Sequence, residues 1–292
     1  MSLESVVHHF TVMGGPASVQ LYLESTSNKT LLKQAEAEAR RLEKKYSRYR
    51  DDSLLSAINA SAGNKKGLCV DAETAGLLDY AQIAFEQSEG LFDISSGVLR
   101  QAWDFKKNSL PDQKHLDNLL KKVGWDKVKW ESPNLFLPLG MELDFGGVVK
   151  EYAADAIVNF LRLSGAQHGM VEMAGDIGIV GPHPDGQPWK IGIRDPADPE
   201  NALAALDAFE GGLASSGNYE RFMTVDGKRY CHVLNPKTGW PVSDVAGVSV
   251  HASTCIVAGT AATVAMLLGA EKGDKWLAGE GFEYLLVAEK MV

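Results

Sequence analysis

A chain of 292 residues, 45% hydrophobic and 23% charged, has the make-up of a globular protein long enough to bury a substantial core without disulfide or metal staples. Its net charge of −9, with no Lys/Arg cluster, excludes the positive patch that nucleic acid or an anionic membrane requires. No apolar run reaches the roughly eighteen residues needed for a membrane-spanning helix, so no transmembrane segment is expected. Met1-Ser2-Leu3-Glu4 lacks the basic-then-apolar order of a leader, so the expected location is the cytoplasm as the sequence stands, or the periplasm if a leader has been removed. The three cysteines, Cys69, Cys231 and Cys255, are odd in number and lack metal-type spacing, which reads them as core thiols.

In chain order, Val6–Thr11 and Ser18–Glu24 alternate apolar and polar positions around Met13-Gly14-Gly15-Pro16, which predicts two strands joined by a glycine turn whose tip can face a ligand. From Thr30, the expected cap, Leu31, Leu32, Ala35, Ala39 and Leu42 recur at helical spacing as far as Lys45. A polar and aromatic loop follows, Tyr46 to Ser53, in which a tyrosine can stack on a flat ligand. Asp71 is expected to cap a second helix that stops at Gly90. Leu91–Leu99 is too rich in small and turn-forming residues to continue it. Pro111–Val123 predicts a short helix beginning at proline, followed by strands at 127–130, 135–139 and 141–145.

The segment from Glu142 to Gly178 reads as a ligand cradle. Gly146 and Gly147 allow close backbone approach, and the helix opening at Val148-Val149-Lys150 points its free N–H groups and positive dipole end at them. A strand at 169–173 follows that helix, then strands at 189–194, 221–225, 228–233, 245–251 and 283–287 and an apolar helix at 257–268, with Asp226-Gly227 as a hairpin signal. Helices and hairpins without a regular βαβ rhythm point to α+β architecture with largely antiparallel sheets.

Three polar patches stand at strand ends: Glu172 with Asp176, the run 214–221, and the run 231–239. Carboxylates there can accept from ribose hydroxyls or an adenine amine, serines and amides can hold phosphate, and His232 can donate to an oxyanion. Asn235–Gly239 equally suits an ordinary turn. Gly175, Gly178 and Gly181 are spaced G-x-x-G-x-x-G with no helix opening there, which excludes the dinucleotide fingerprint, and Ser216 lies in no G-x-S-x-G elbow.

Taken together and in order, Met13-Gly14, Ser47–Arg50, Ser53, Asn59, Phe92-Asp93, Asp144–Asp155, Gly175-Asp176, Ser216–Arg221, His232–Gly239 and the helix at Ala258–Gly269 resemble the ApbE-type FAD:protein FMN transferases over nearly the whole chain. The resemblance implies an α+β fold of largely antiparallel sheets flanked by helices. It also implies one domain over 1–292, built of two closely packed lobes with the ligand cleft between them. The implied activity is transfer of FMN from FAD to a threonine of an acceptor flavoprotein, with release of AMP and a divalent metal, usually Mg2+, near the pyrophosphate. By the same resemblance Met13, Tyr49, Asp93, Gly146, Gly147, Lys150, Glu172, Asp176, Ser216 and Gly217 would bind FAD, and His232 and Thr263 would be catalytic. Tyr49 would stack near the flavin, while Asp93, Glu172 and Asp176 would hold adenosine.

Departures from the family pattern concentrate at the metal. The family's A-D-A-x-A-T-A reads Ala258-Gly259-Thr260-Ala261-Ala262-Thr263-Val264 here, so Gly259 replaces the usual ligand Asp. Thr263 and carbonyls near Gly147 and Ala262 remain in reach of a cation, with Thr260 or a water as substitutes. Restoring an aspartate at 259 is expected to raise the response to magnesium. Glu151 stands where glycine is common, and Ala174 replaces a glycine. Loss of the carboxylate leaves two alternatives open: a non-catalytic flavin-binding homologue, and an FAD pyrophosphatase giving FMN and AMP.

Overall fold

The computed structural model describes residues 3–24, 30–105, 107, 109–198, 200–219 and 221–289. The first alternating segments form β1 (Leu3–Val12) and β2 (Gly15–Glu24), paired antiparallel across a two-residue turn in which Met13 and Gly14 both take positive φ, 52° and 78°. That turn geometry matches the twist of the strands it joins. In α1 (Thr30–Tyr46), Leu32, Ala35, Ala39, Leu42 and Tyr46 form the buried stripe; Thr30, expected as the cap, is already helical.

The polar loop after α1 leads into a helix that periodicity does not reveal, α2 (Leu54–Ala60). Ser53 caps it by accepting from the Ser56 amide at 3.0 Å, while Leu55 and Ile58 anchor it in the core. After β3 (Leu68–Cys69), α3 (Ala72–Gln87) starts at Asp71 as expected, with the carboxylate accepting from Thr74 N at 2.9 Å. Asp93 caps a 3-10 turn, Ile94–Gln101. The next helix, α4 (Gln113–Leu120), begins at Asp112 rather than at Pro111, because that carboxylate takes the His115 amide at 2.8 Å.

β4 (Lys129–Glu131) and β5 (Asn134–Phe136) complete a small sheet in the order β3-β5-β4. Cys69 lies on the edge of that sheet and is exposed, contrary to the core reading, whereas Cys231 and Cys255 are buried. The expected strand at 141–145 does not pair with another strand. Met141, Leu143 and Phe145 are buried in alternation, but Leu143 exchanges hydrogen bonds with the Asn59 side chain (2.7 and 3.0 Å) and Asp144 N donates to Ile94 O at 2.8 Å. Alternation there reports burial, not a ladder.

The rest of the chain is α5 (Val149–Leu163), β6 (Gly169–Met173), β7 (Asp176–Gly181), β8 (Trp189–Arg194), β9 (Ala202–Ala208), β10 (Gly212–Gly217), β11 (Phe222–Val225), β12 (Lys228–Cys231), β13 (Val245–Ala252), α6 (Cys255–Leu268), α7 (Ala270–Glu280) and β14 (Glu283–Ala288). Seven strands form the central sheet, β1-β2-β6-β7-β10-β13-β14, with every pairing antiparallel. Val19, Leu21, Val171, Met173, Ala214 and Val248 belong to the main core, together with the buried residues of α1, α5 and α6. The opposite face packs Ile177, Ile179 and Leu213 against Trp189, Ile191 and Leu206 of the β8–β9 ribbon. This is the α+β arrangement expected from the sequence.

Sequence reading missed α7, β7, β9 and β10. In β7 the cause is its glycines, which are there for packing: a Cβ on Gly178 would meet Val158 Cγ2 at 2.8 Å, and one on Gly181 would meet Gln167 O at 2.0 Å. No helix among the described residues is long and apolar enough to cross a membrane.

Candidate functional site

The cradle is built by a turn at the entrance to α5. Phe145 O accepts from both Val148 N and Val149 N at 2.9 Å, which bends the chain through Gly146 and Gly147 and leaves both glycines exposed. Gly147 faces open space, its nearest would-be Cβ neighbour being Phe92 Cζ at 4.0 Å. Asp144 stiffens the turn: Oδ1 accepts from Gly146 N at 2.9 Å and Oδ2 is ion-paired to Arg48. Arg48 also donates to the Tyr49 hydroxyl at 2.9 Å and lies over its ring, 5.0 Å from the centroid. Tyr49 is 79% exposed, so the loop presents a flat aromatic face held to the cradle through the Arg48–Asp144 pair. Arg48 and Asp144 belong to the matched motifs, yet neither was assigned a role from the sequence.

Behind the glycines lies a compact polar cluster. Lys150, in the first turn of α5, is ion-paired to Asp176 Oδ2, and Asp176 is 1% exposed. Asp176 Oδ1 accepts from Ser215 N at 3.1 Å, which joins β7 to β10. The next residue, Ser216, places its hydroxyl 3.1 Å from that of Thr263 on α6. Glu151 is buried, and its Oε2 has no hydrogen-bond partner among the described residues. Burial first, and then the charge of Asp176, push its pKa well above the ordinary carboxylate range.

Asp155, one turn further along α5, accepts from Cys255 N at 2.8 Å and Ile256 N at 2.9 Å, capping α6 and fixing the two helices against each other. Thr260, a substitute considered for the missing metal ligand, turns the other way and takes the Tyr80 hydroxyl at 2.8 Å. Ala262 is buried in the interior of α6, where helix geometry commits each carbonyl to the amide four residues on.

Other expected residues lie apart from this cluster. Glu172 is opposite Ile177 and Asp176 is opposite Met173, so the two carboxylates point to opposite faces of the sheet; Glu172 takes the Ser18 hydroxyl at 3.2 Å instead. Asp93 is buried with its carboxylate committed to Ser95 N at 2.8 Å and Trp125 N at 3.2 Å, and burial raises its pKa. It borders a cleft of about 460 Å³ also lined by Phe85, Gly90, Val123 and Lys237.

Met13 N donates to Glu43 Oε1 at 2.5 Å, and the neighbouring Gly14 faces Arg221, whose Nη2 would be 3.8 Å from a Cβ there. His232 is exposed; its amide donates to Arg221 O at 3.0 Å and its Nδ1 lies 3.3 Å from the same oxygen. Surrounding protein, then the charges of Arg221 and Lys150, hold its pKa below the ordinary histidine value.

Gly217 is covered by Tyr219, whose ring would be 2.3 Å from a Cβ, so this glycine admits an aromatic ring to the backbone. Glu220, within the run 214–221, lies outside the described residues. Asn235–Gly239 is a side-chain-braced turn, with Asn235 Oδ1 accepting from Lys237 N at 2.9 Å and Thr238 N at 3.3 Å.

The family model described as the ApbE family matches residues 13–286. An FAD:protein FMN transferase of Treponema pallidum is 32% identical over 243 residues, covering 76% of this chain and 67% of that protein. One of Vibrio cholerae serotype O1 is 29% identical over 234 residues, with coverages of 78% and 70%. Among solved structures, the ApbE protein of Thermotoga maritima superposes with a TM-score of 0.90 at 27% identity, over 98% of this chain and 94% of that one. The apo flavinyl transferase ApbE of Pseudomonas stutzeri gives 0.88 at 26% identity, over 100% and 93%. The family match spans both the cradle and the polar cluster behind it, and this chain belongs to the ApbE family.

Proposed function

We propose that the protein is an FAD-binding flavin transferase that moves FMN from FAD onto a threonine of an acceptor flavoprotein and releases AMP. One observation carries the reading. The family match takes in the exposed Gly146-Gly147 turn, and behind it a lysine–aspartate pair and two hydroxyls converge on the start of α5. The relatives named above are FAD:protein FMN transferases, which supports the same substrate for this chain.

In this reaction the threonine Oγ attacks the FMN-side phosphorus of FAD, and the phosphoanhydride P–O bond to AMP breaks. AMP leaves with the electron pair, and the threonine proton passes to a base. Two anionic phosphates must be held while a neutral hydroxyl approaches, so positioning and charge neutralisation are the main demands. In this reading the α5 N-terminus and Lys150 receive the pyrophosphate, and Tyr49 offers its exposed ring to the flavin. A His232 imidazole whose Nδ1–H donates to Arg221 O keeps its Nε2 lone pair, and its lowered pKa leaves it neutral near pH 7. That nitrogen is the proposed acceptor of the threonine proton.

A magnesium ion fits the donor chemistry at the base of the cradle, where hydroxyl and carboxylate oxygens meet. Thr263 and Ser216 would hold it together with a carboxylate from the same cluster, and it would supply neutralisation of the pyrophosphate charge. Incubation of the purified protein with FAD, Mg2+ and a peptide bearing an acceptor threonine tests the reading. Covalent FMN on the peptide, with equimolar AMP, is expected; free FMN with AMP would make the protein a pyrophosphatase, and unchanged FAD a flavin binder.

A further inference from the structure

Two departures that look independent in the sequence meet in the fold. Gly259 stands on α6 where the family pattern has aspartate, and Glu151 stands on α5 where it commonly has glycine. A Cβ built on Gly259 would lie 2.6 Å from Glu151 Cγ, 2.9 Å from its Oε1 and 3.0 Å from its Cδ. Glu151 therefore fills, from the neighbouring helix, the space that a side chain on residue 259 would occupy. Its residue is 7% exposed, and Oε2 is buried without a hydrogen-bond partner among the described residues. A buried carboxylate oxygen left unpaired is costly, and a cation is the partner that relieves it best.

We infer that Glu151 is the carboxylate ligand of the divalent cation, delivered from α5 in place of an aspartate at 259, so that the two substitutions are one reciprocal exchange across the α5–α6 contact. This deepens the transferase reading and rests on it. Thr263 follows Gly259 by one helical turn, on the same side of α6, and holds its hydroxyl against Ser216, so the oxygen set of carboxylate and hydroxyls suits a hard ion. Lys150 is ion-paired to Asp176 Oδ2 and Thr260 is engaged by Tyr80, whereas Glu151 Oε2 is buried with neither a hydrogen bond nor an ion pair among the described residues. No grouping of three or more His, Cys, Asp or Glu forms a metal site among the described residues. The proposed site instead draws one carboxylate and neutral oxygens, with the phosphates of FAD completing the charge.

The geometry also alters what substitution at 259 alone achieves. An aspartate there collides with Glu151 and displaces it, so Gly259→Asp by itself is not a restoration.

Binding of Mn2+, as a probe for the cation, to the full chain with FAD present tests the inference by the loss of the free-ion electron paramagnetic resonance signal, with the thermal midpoint followed on the same samples. Glu151→Gln keeps the size and removes the charge, and is expected to weaken Mn2+ binding at least about tenfold with an unchanged fold. The double variant Glu151→Gly with Gly259→Asp is expected to bind within about threefold of the parent, while Glu151→Gly alone loses binding as the glutamine variant does. Parent-like Mn2+ affinity in either single variant overturns the assignment of Glu151 and leaves the transferase reading standing. Absence of Mn2+ uptake by the parent chain with FAD overturns the metal-assisted reading along with it.

Discussion

Lys150 and Asp176 form an ion pair in which the aspartate is 1% exposed and also accepts the Ser215 amide at 3.1 Å. Removing one member of such a pair leaves the other charge buried, which costs about 3 kcal/mol or more. Lys150→Met is therefore expected to lower stability by that amount in chemical denaturation. Adding Asp176→Asn removes the orphaned charge and should recover most of the loss. Affinity for FAD separates that structural role from the proposed phosphate-binding one: in the double variant it is expected to stay about tenfold or more below the parent, because the ammonium proposed to face the phosphates is still missing. Recovery of FAD affinity along with stability would show that Lys150 serves only Asp176.

Asp155 supplies from another helix the cap that α6 lacks in its own sequence. Thr254, at the cap position, makes no side-chain cap bond, and the amides of Cys255 and Ile256 both go to the Asp155 carboxylate at 2.8 and 2.9 Å. Asp155→Ala exposes two buried donors and is expected to cost about 2–3 kcal/mol, whereas Asp155→Asn, which retains one acceptor oxygen, should cost about half as much. Equilibrium unfolding measures both. Equal losses in the two variants would contradict a capping role.

Acid sensitivity should trace in part to Glu73. Its carboxylate takes both Arg41 amino groups (2.6 and 2.9 Å), Lys45 at 2.6 Å and the Tyr152 hydroxyl at 3.2 Å, tying α3 to α1 and α5. Hydrogen bonds from Arg41, and then from Lys45, hold its pKa at about 2, below the ordinary 4.5. A depressed carboxyl pKa stabilises the fold fully above the unfolded value and loses that contribution as pH falls through the folded value. Stability from this group is thus present above about pH 4.5 and gone below about pH 2, an amount of about 1–2 kcal/mol once solvent screening of a partly exposed network is allowed for. Glu73→Gln should flatten the acid limb in that window; an unchanged slope between pH 5 and 2 would contradict the assignment.

Gly217 and Tyr219 form a lock near the hydroxyl pair. A methyl at 217 would sit 2.3 Å from Tyr219 Cε1 and 2.8 Å from Cδ1, so Gly217→Ala must displace the ring, at about 1–3 kcal/mol. The same substitution in a Tyr219→Ala background should cost much less, and that coupling in a double-mutant cycle is the measurement. Additive effects would show that the ring does not occupy that space.

The chain by itself determined the α+β class, the N-terminal hairpin, the helix cap at Asp71, and the order of motifs that places it in its family, because these depend on local periodicity, turn chemistry and spacing. It misjudged the segment 141–145, where buried alternation mimics a strand that has no partner, and it missed β7, whose glycines are set by α5 at Gly178 and by the Gln167 backbone at Gly181. Lys150, Asp176, Ser216 and Thr263 were legible as separate candidates, and the fold joined them. It separated Glu172 from Asp176, since a strand reverses its side chains at every residue and a tight hairpin preserves that alternation. What the tertiary structure alone decided is that residues 151 and 259 share one volume. Distance along the chain carries no information about which side chains compete for the same space, and only the packing of α5 against α6 turns a missing carboxylate into a relocated one.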